Sequence, residues 1–121
     1  MANIGPECRE LLECIEYRSA SELLEEVPEV ENLAKLLSLL ASPTRLKILA
    51  LLARYDKPLP LCIIAAILSK TPQQLAYHLR ELRRAGVVRE ERRGRFAFYR
   101  ADREKLKTLV ASLNRLLQAE A

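Results

Sequence analysis

The feature that most constrains the fold is a change of hydrophobic period at Gly86. Before it, in "PQQLAYHLRELRRA" (72–85), Leu75, Leu79 and Leu82 recur at helical spacing and form one stripe. Thr71 is placed to cap this helix, Pro72 suits its first position, and Gly86 is the usual left-handed stop. After it, "GVVREERRGRFAFYRA" (86–101) has strand-like apolar ends around the turn residues Arg93, Gly94 and Arg95. A helix capped at both ends therefore leads directly into a β-hairpin with a basic tip.

Breakers divide the rest of the chain. Residues 6–18 place Cys8, Leu11, Leu12 and Ile15 on one helical stripe, and Ser19 with Glu22 forms a capping box for a segment ending near Val27. Pro28 is expected to open a helix through Ala41, with Val30, Leu33, Ala34, Leu36, Leu37 and Leu40 turned inward. Ser42 and Pro43 then start a helix over 43–54, apolar enough in "LKILALL" to read as buried on nearly every side. "YDKPLPL" (55–61) reads as a turn, because prolines two apart cannot sit inside a helix, and Leu61–Leu68 as a short apolar helix. From Asp102 a last helix carries Leu106, Leu109, Val110, Leu113, Leu116 and Leu117, more apolar surface than a terminal helix of a small monomer can bury on its own. The reading divides the chain into an N-terminal helical extension, 1–27, and one domain, 28–121.

The net charge of +4 conceals an asymmetry: residues 1–42 sum to −6 and residues 43–121 to +10. Eight arginines fall between positions 80 and 100, a concentration suited to a polyanion, since guanidinium groups bind phosphate bidentately. There is no run of eighteen apolar residues and no basic, apolar leader in "MANIGPECRELLECIEY", so a soluble, cytoplasmic protein without a membrane partner is expected. No Ser-His-Asp set and no glycine-rich phosphate loop is present, which argues against an enzyme.

The helix at 72–85 has a second face. Gln73, Tyr77, Arg80 and Arg84 lie at i, i+4, i+7 and i+11, opposite the leucine stripe. A short helix, a capped turn, an amphipathic helix with such a face and then a basic hairpin is the order of a winged helix-turn-helix, an α+β fold, mostly α with one small hairpin. Its second helix enters the major groove, where Gln can pair with adenine and Arg with guanine. On this reading Gln73, Gln74, Tyr77, Arg80 and Arg84 meet the groove of double-stranded DNA. Lys70, Thr71, Arg92, Arg93 and Arg95 hold phosphates, while Arg83 and Arg89 stay unassigned. His78, beside the leucine stripe, reads as a hydrogen-bonded packing residue rather than a metal ligand, and Tyr99 as core.

"LASPTRLKILALL" (40–52) and "LSKTPQQLAYHLRELRRAGVVREERRGRFAFYR" (68–100) resemble the ArsR/SmtB group of dimeric transcriptional repressors, a likeness covering about residues 30–117. The resemblance implies a winged-helix homodimer on a palindromic operator, released by an inducer. Its first and last helices would form the interface, here through Leu33, Leu37, Leu106, Leu109, Val110, Leu113 and Leu116. Many members carry a C-x-C pair before the recognition helix; here Cys62 matches the second cysteine and Pro60 stands in place of the first. The last-helix zinc site of other members is missing, since 102–117 contains no His. Some members recruit cysteines from an N-terminal extension, which would bring Cys8 and Cys14 to Cys62 as three thiolates for a thiophilic metal or arsenite. Three readings of the cysteines stand side by side: inert thiols, a disulfide or redox pair, and this metal site. A winged helix serving as a protein-interaction module is the alternative from another functional class.

Overall fold

The computed structural model describes residues 29–118, and from Glu31 onward these belong to one compact unit. Five helices and a three-stranded antiparallel sheet follow one another as α1 (Glu31–Leu40), α2 (Pro43–Ala53), β1 (Leu59–Pro60), α3 (Leu61–Leu68), α4 (Pro72–Arg84), β2 (Val88–Arg93), β3 (Phe96–Ala101) and α5 (Arg103–Leu117). The winged helix-turn-helix expected from the order of breakers is the fold observed. Among the described residues no single helix is long and apolar enough to cross a membrane.

Local chemistry sets the element ends. Ser42, in extended conformation, accepts a hydrogen bond from the Arg45 amide and Pro43 follows at the first helical position, so α1 and α2 meet at a bend of 91°. Helix α3 ends on Ser69 at φ +55°, with the Lys70 amide reaching back to the Ala65 carbonyl. This left-handed residue turns the chain sharply into α4, whose start is a complete capping box. The Thr71 hydroxyl accepts from the Gln74 amide, and the Gln74 side-chain oxygen accepts from the Thr71 amide. At the other end Gly86 (φ +82°) closes a Schellman motif, with Val87 N–H donating to Leu82 O and Gly86 N–H to Arg83 O. Leu82 and Val87 are both fully buried, which supplies the apolar contact this motif favours. Gly94 (φ +62°) and Arg95 turn the hairpin between the paired residues Arg93 and Phe96, and positive φ at the first central residue alone is the type II′ pattern.

The core is continuous. Leu40, Ile48, Leu49, Leu52, Ile64, Ala65, Leu75, Leu79, Leu82, Val87, Val88, Tyr99 and Ala101 are buried together, and no described polar side-chain atom is buried without a partner. Leu75, Leu79 and Leu82 are wholly excluded from water, each worth about 1.5–3 kcal/mol of transfer free energy. They seat α4 on α2, α3 and the start of β2.

Four expectations need correction. Helix α1 begins at Glu31 instead of Pro28, leaving Glu29 and Val30 outside it; Glu31 places a carboxylate on the positive end of the helix dipole. The inward stripe of α1 narrows to its C-terminal part: Leu40 is buried and Leu36 and Leu39 pack on the core, but Val30, Ala34 and Leu37 are exposed and Leu33 only half covered. Helix α2 is buried on one face, by Ile48, Leu49 and Leu52, with Leu46 52% exposed, because among the described elements α3, α4 and β3 are those that pack closely on it. "YDKPLPL" is not all turn. Leu59 and Pro60 form an edge strand against Tyr99 and Phe98, where a missing proline N–H costs no ladder bond on the open side.

Truncating Leu79 to Ala is expected to lower unfolding free energy by about 2–5 kcal/mol through loss of burial and a residual cavity. Removing the cap with Thr71→Ala should lower it by about 1 kcal/mol. Urea denaturation followed by circular dichroism checks both.

Candidate nucleic-acid interface

With its leucine stripe sealed in the core, α4 presents Gln73, Gln74, Tyr77, Arg80 and Arg84 to solvent, all exposed. They are not equivalent. The Gln74 oxygen is engaged in the capping box, which leaves only its amide nitrogen for a ligand. The Arg84 guanidinium lies 3.7 Å from Glu81 one turn earlier, whereas Arg80 has no ion pair among the described residues. Among the described residues, Gln73, Arg80 and the Tyr77 hydroxyl thus keep their hydrogen-bonding capacity intact on this face.

Arg45, which the sequence reading did not single out, organises the N-terminal half of the face. Its Nε donates to His78 Nδ1 at 3.0 Å, its Nη1 donates to the Leu39 carbonyl at 2.9 Å, and its guanidinium lies 5.6 Å from the Tyr77 ring centre. The Tyr77 and His78 rings meet edge to face at 5.6 Å. One cation therefore ties the end of α1 to α4 and orients the aromatic ring on the exposed face. The only signal in the sequence was an arginine near the start of a largely apolar helix that also carries Thr44 and Lys47. His78 takes the packing role expected of it. Burial, reinforced by the positive charges of Arg45 and Lys70, pushes its pKa below the usual 6.5.

The arginines of the wing divide into structural and free groups. Arg83, on α4, pairs with Glu90 of β2, and the same carboxylate accepts a 2.9 Å hydrogen bond from the Tyr99 hydroxyl. Tyr99 is core, as expected, and burial together with its Glu90 partner pushes its pKa up to about 12. Arg89 binds Asp102, the N-cap of α5, at 3.0 Å; the Lys105 backbone amide and Arg89 hold the Asp102 carboxyl below the ordinary aspartate range. Arg83 and Arg89 thus fasten the sheet to α4 and α5. Arg93 stacks 4.8 Å from the Phe98 ring centre and reaches Glu91 at 3.1 Å, so a phosphate there would compete with a carboxylate. Arg95 lies 5.8 Å from the exposed Phe96 ring, and Arg92 and Arg95 form no ion pair among the described residues. Lys70 and Thr71 are exposed at the turn between α3 and α4, Thr71 with its hydroxyl committed to the cap.

The residues expected at the interface fall into three groups. Leu106 and Leu109 pack on the chain's own core, whereas Leu37, Val110 and Leu116 are exposed, Val110 by 56%, with Leu33 and Leu113 intermediate. Cys62 is an exposed free thiol on α3; Cys8 and Cys14 lie outside the described residues, as do the helical segments expected over 6–27. Among the described residues no three His, Cys, Asp or Glu side chains come together as a metal site.

A family model described as a helix-turn-helix domain matches residues 40–91. An HTH-type transcriptional regulator of Methanocaldococcus jannaschii is 30% identical over 86 residues, covering 71% of this chain and 96% of that protein. A CadC homolog of Staphylococcus aureus, a cadmium resistance transcriptional regulatory protein, is 30% identical over 65% of this chain and 64% of its own length. The solved structure of an ArsR-like transcriptional regulator from Rhodococcus sp. RHA1 superimposes with a TM-score of 0.61 at 29% identity, over 70% of this chain and 78% of that one. The chain belongs to the ArsR-like helix-turn-helix transcriptional regulators. In this ArsR-like regulator α3 and α4 are the helix-turn-helix and β2–β3 the wing, and the matched region takes in both helices and β2 as far as Glu91. Its relatives are transcriptional regulators rather than enzymes.

The depressed His78 pKa carries a sign. Below pH 6.5 the unfolded chain takes up a proton that the folded chain still refuses, so stability falls as pH drops through and below 6.5. At the alkaline end the raised Tyr99 pKa makes stability fall between about pH 10 and about 12. Urea midpoints at pH 7.5 and 5.5 are expected to differ more in the native protein than in His78→Asn, and absorbance titration should show a late tyrosinate that Tyr99→Phe removes.

Proposed function

We propose that this ArsR-like regulator is a homodimeric, sequence-specific repressor in which α4 reads the major groove and the β2–β3 wing holds the backbone. The observation that carries this reading is the outward face of α4. Gln73 and Arg80 stand there without a partner among the described residues, on a helix held rigidly by three buried leucines and a capping box. Gln73 and Arg80 are the base readers, with Tyr77, Gln74 and Arg84 beside them; Lys70, Thr71, Arg92, Arg93 and Arg95 position the phosphates. The exposed apolar residues of α1 and α5, Leu37, Val110, Leu116 and Leu117, support a dimer through these helices, since a soluble monomer rarely leaves such a set open. A dimer implies a palindromic operator with half-sites about one helical turn, roughly 34 Å, apart. Release is assigned to the thiols: Cys62 is exposed on α3, beside the reading unit, and with Cys8 and Cys14 it would respond to a thiophilic metal, arsenite or oxidation.

Fluorescence anisotropy with a duplex from upstream of the gene and with an unrelated duplex tests the division of labour. Gln73→Ala or Arg80→Ala should lower discrimination between the two by about 1–3 kcal/mol. Arg92→Ala and Arg95→Ala should weaken both alike and reduce the salt slope by about one each. Wing variants that proved selective for the operator would overturn this assignment. Val110→Glu should turn the dimer into a monomer in analytical ultracentrifugation and abolish operator binding. Thiol titration with elemental analysis tests the sensor: three thiols protected by about one bound arsenite or Zn²⁺, with loss of DNA, is the expected outcome.

A further inference from the structure

A shallow depression of about 270 Å³ beside the reading face is lined by Thr44, Lys70, Gln74, Tyr77 and His78, drawn from α2, the α3–α4 turn and α4. Its character follows from counting which hydrogen-bonding groups are already used. The Gln74 oxygen is bound to the Thr71 amide, so the remaining group of that side chain is its NH₂. Arg45 has no acceptor and donates to His78 Nδ1; that nitrogen is therefore unprotonated, and the neutral ring carries its proton on Nε2. Lys70 is a donor only and has no ion pair among the described residues. The Thr44 and Tyr77 hydroxyls have no hydrogen-bond partner there and rotate to suit a ligand, and no carboxylate lines the depression. What remains is an ammonium, an amide NH₂, an imidazole N–H and two hydroxyls, all able to donate, with no obligate acceptor. Such a set fits an anion.

We propose that this depression seats one phosphodiester of the DNA backbone, held by Lys70, Thr44, the Gln74 amide and the Nε2–H of His78. The inference rests on the DNA-binding reading and adds to it two contact residues, Thr44 and His78, that the exposed faces alone do not indicate. Arg45 is a positioning residue here: by occupying Nδ1 it selects the tautomer that donates. The duplex is the source of phosphate best suited to the place, since the seat adjoins Gln73 and Tyr77 at the start of α4, and a backbone contact there sets the register of the helix in the groove.

The test is anisotropy with the full-length protein, the upstream duplex and an unrelated duplex, over a series of chloride concentrations. Thr44→Val removes a hydroxyl at constant shape, and His78→Asn keeps an oxygen acceptor for Arg45 while removing the Nε2–H, which the shorter amide does not replace at the far end of the ring. Each should weaken binding about three- to tenfold on both duplexes, leaving their ratio and the salt slope unchanged. Lys70→Gln should instead reduce the slope by about one. Unchanged thermal midpoints in Thr44→Val, at a half-buried position, and in Lys70→Gln, at an exposed one, separate these losses from misfolding. Native-like affinity in all three variants would leave the seat empty of DNA, and a loss confined to the upstream duplex would make these groups base readers; either overturns the proposal while leaving the DNA-binding reading intact. Inorganic phosphate displacing the duplex better than chloride at equal ionic strength, in a manner abolished by Lys70→Gln, would make it a small-anion site instead. A native protein that binds neither duplex would refute the DNA-binding reading itself, and this inference with it.

Discussion

The rest of the structure depends on the burial of Leu75, Leu79 and Leu82. Three wholly enclosed leucines on one side of a thirteen-residue helix settle its rotation about its own axis, because any other rotation would return them to water. The exposed position of Gln73, Tyr77 and Arg80 is the other half of the same fact. The caps settle where the helix starts and stops, so its polar face begins at the α3–α4 turn and ends where the sheet begins. This rigidity gives the polar face one constant pattern, which a helix free to roll could not present to any ligand.

Charge on this molecule has two employments. Arg83 with Glu90, and Arg89 with Asp102, join α4 and α5 to the sheet, and Tyr99 anchors the first of these pairs in the core. These exposed pairs add little stability singly but settle how the wing stands relative to α4. Arg80, Arg92 and Arg95 keep their capacity for an outside anion. A dense run of arginines thus supplies the brace and also leaves guanidinium groups without an ion pair among the described residues, and only the positions of the acidic partners distinguish them.

Much of this was legible in the chain. Thr71, Pro72 and Gly86 marked α4 to within a residue, since capping is local chemistry between neighbours in sequence, and the period change at Gly86 announced the hairpin. Strand β1 was not legible: two residues carry no period, and Leu59 and Pro60 become a strand only because β3 offers its open edge to them. Nor could sequence spacing disclose Arg45, whose partners are Leu39, Tyr77 and His78, the last of them 33 positions away. The narrow buried face of α2 was missed for a related reason, as apolar content alone cannot count the neighbours that a helix will find.

The sequence by itself determined the elements, their order, the leucine stripe and the donor face opposite it, because these follow from backbone geometry and from side chains within a few residues of one another. Tertiary structure alone decided which polar groups remain available. Gln74 is half consumed by a cap, Arg83 and Arg89 by carboxylates on other elements, and His78 is held as a single tautomer by an arginine from α2. Hydrogen-bonding capacity is finite, and the folded chain uses some of it on itself before any ligand arrives; what is left over depends on distances that only the packed structure sets.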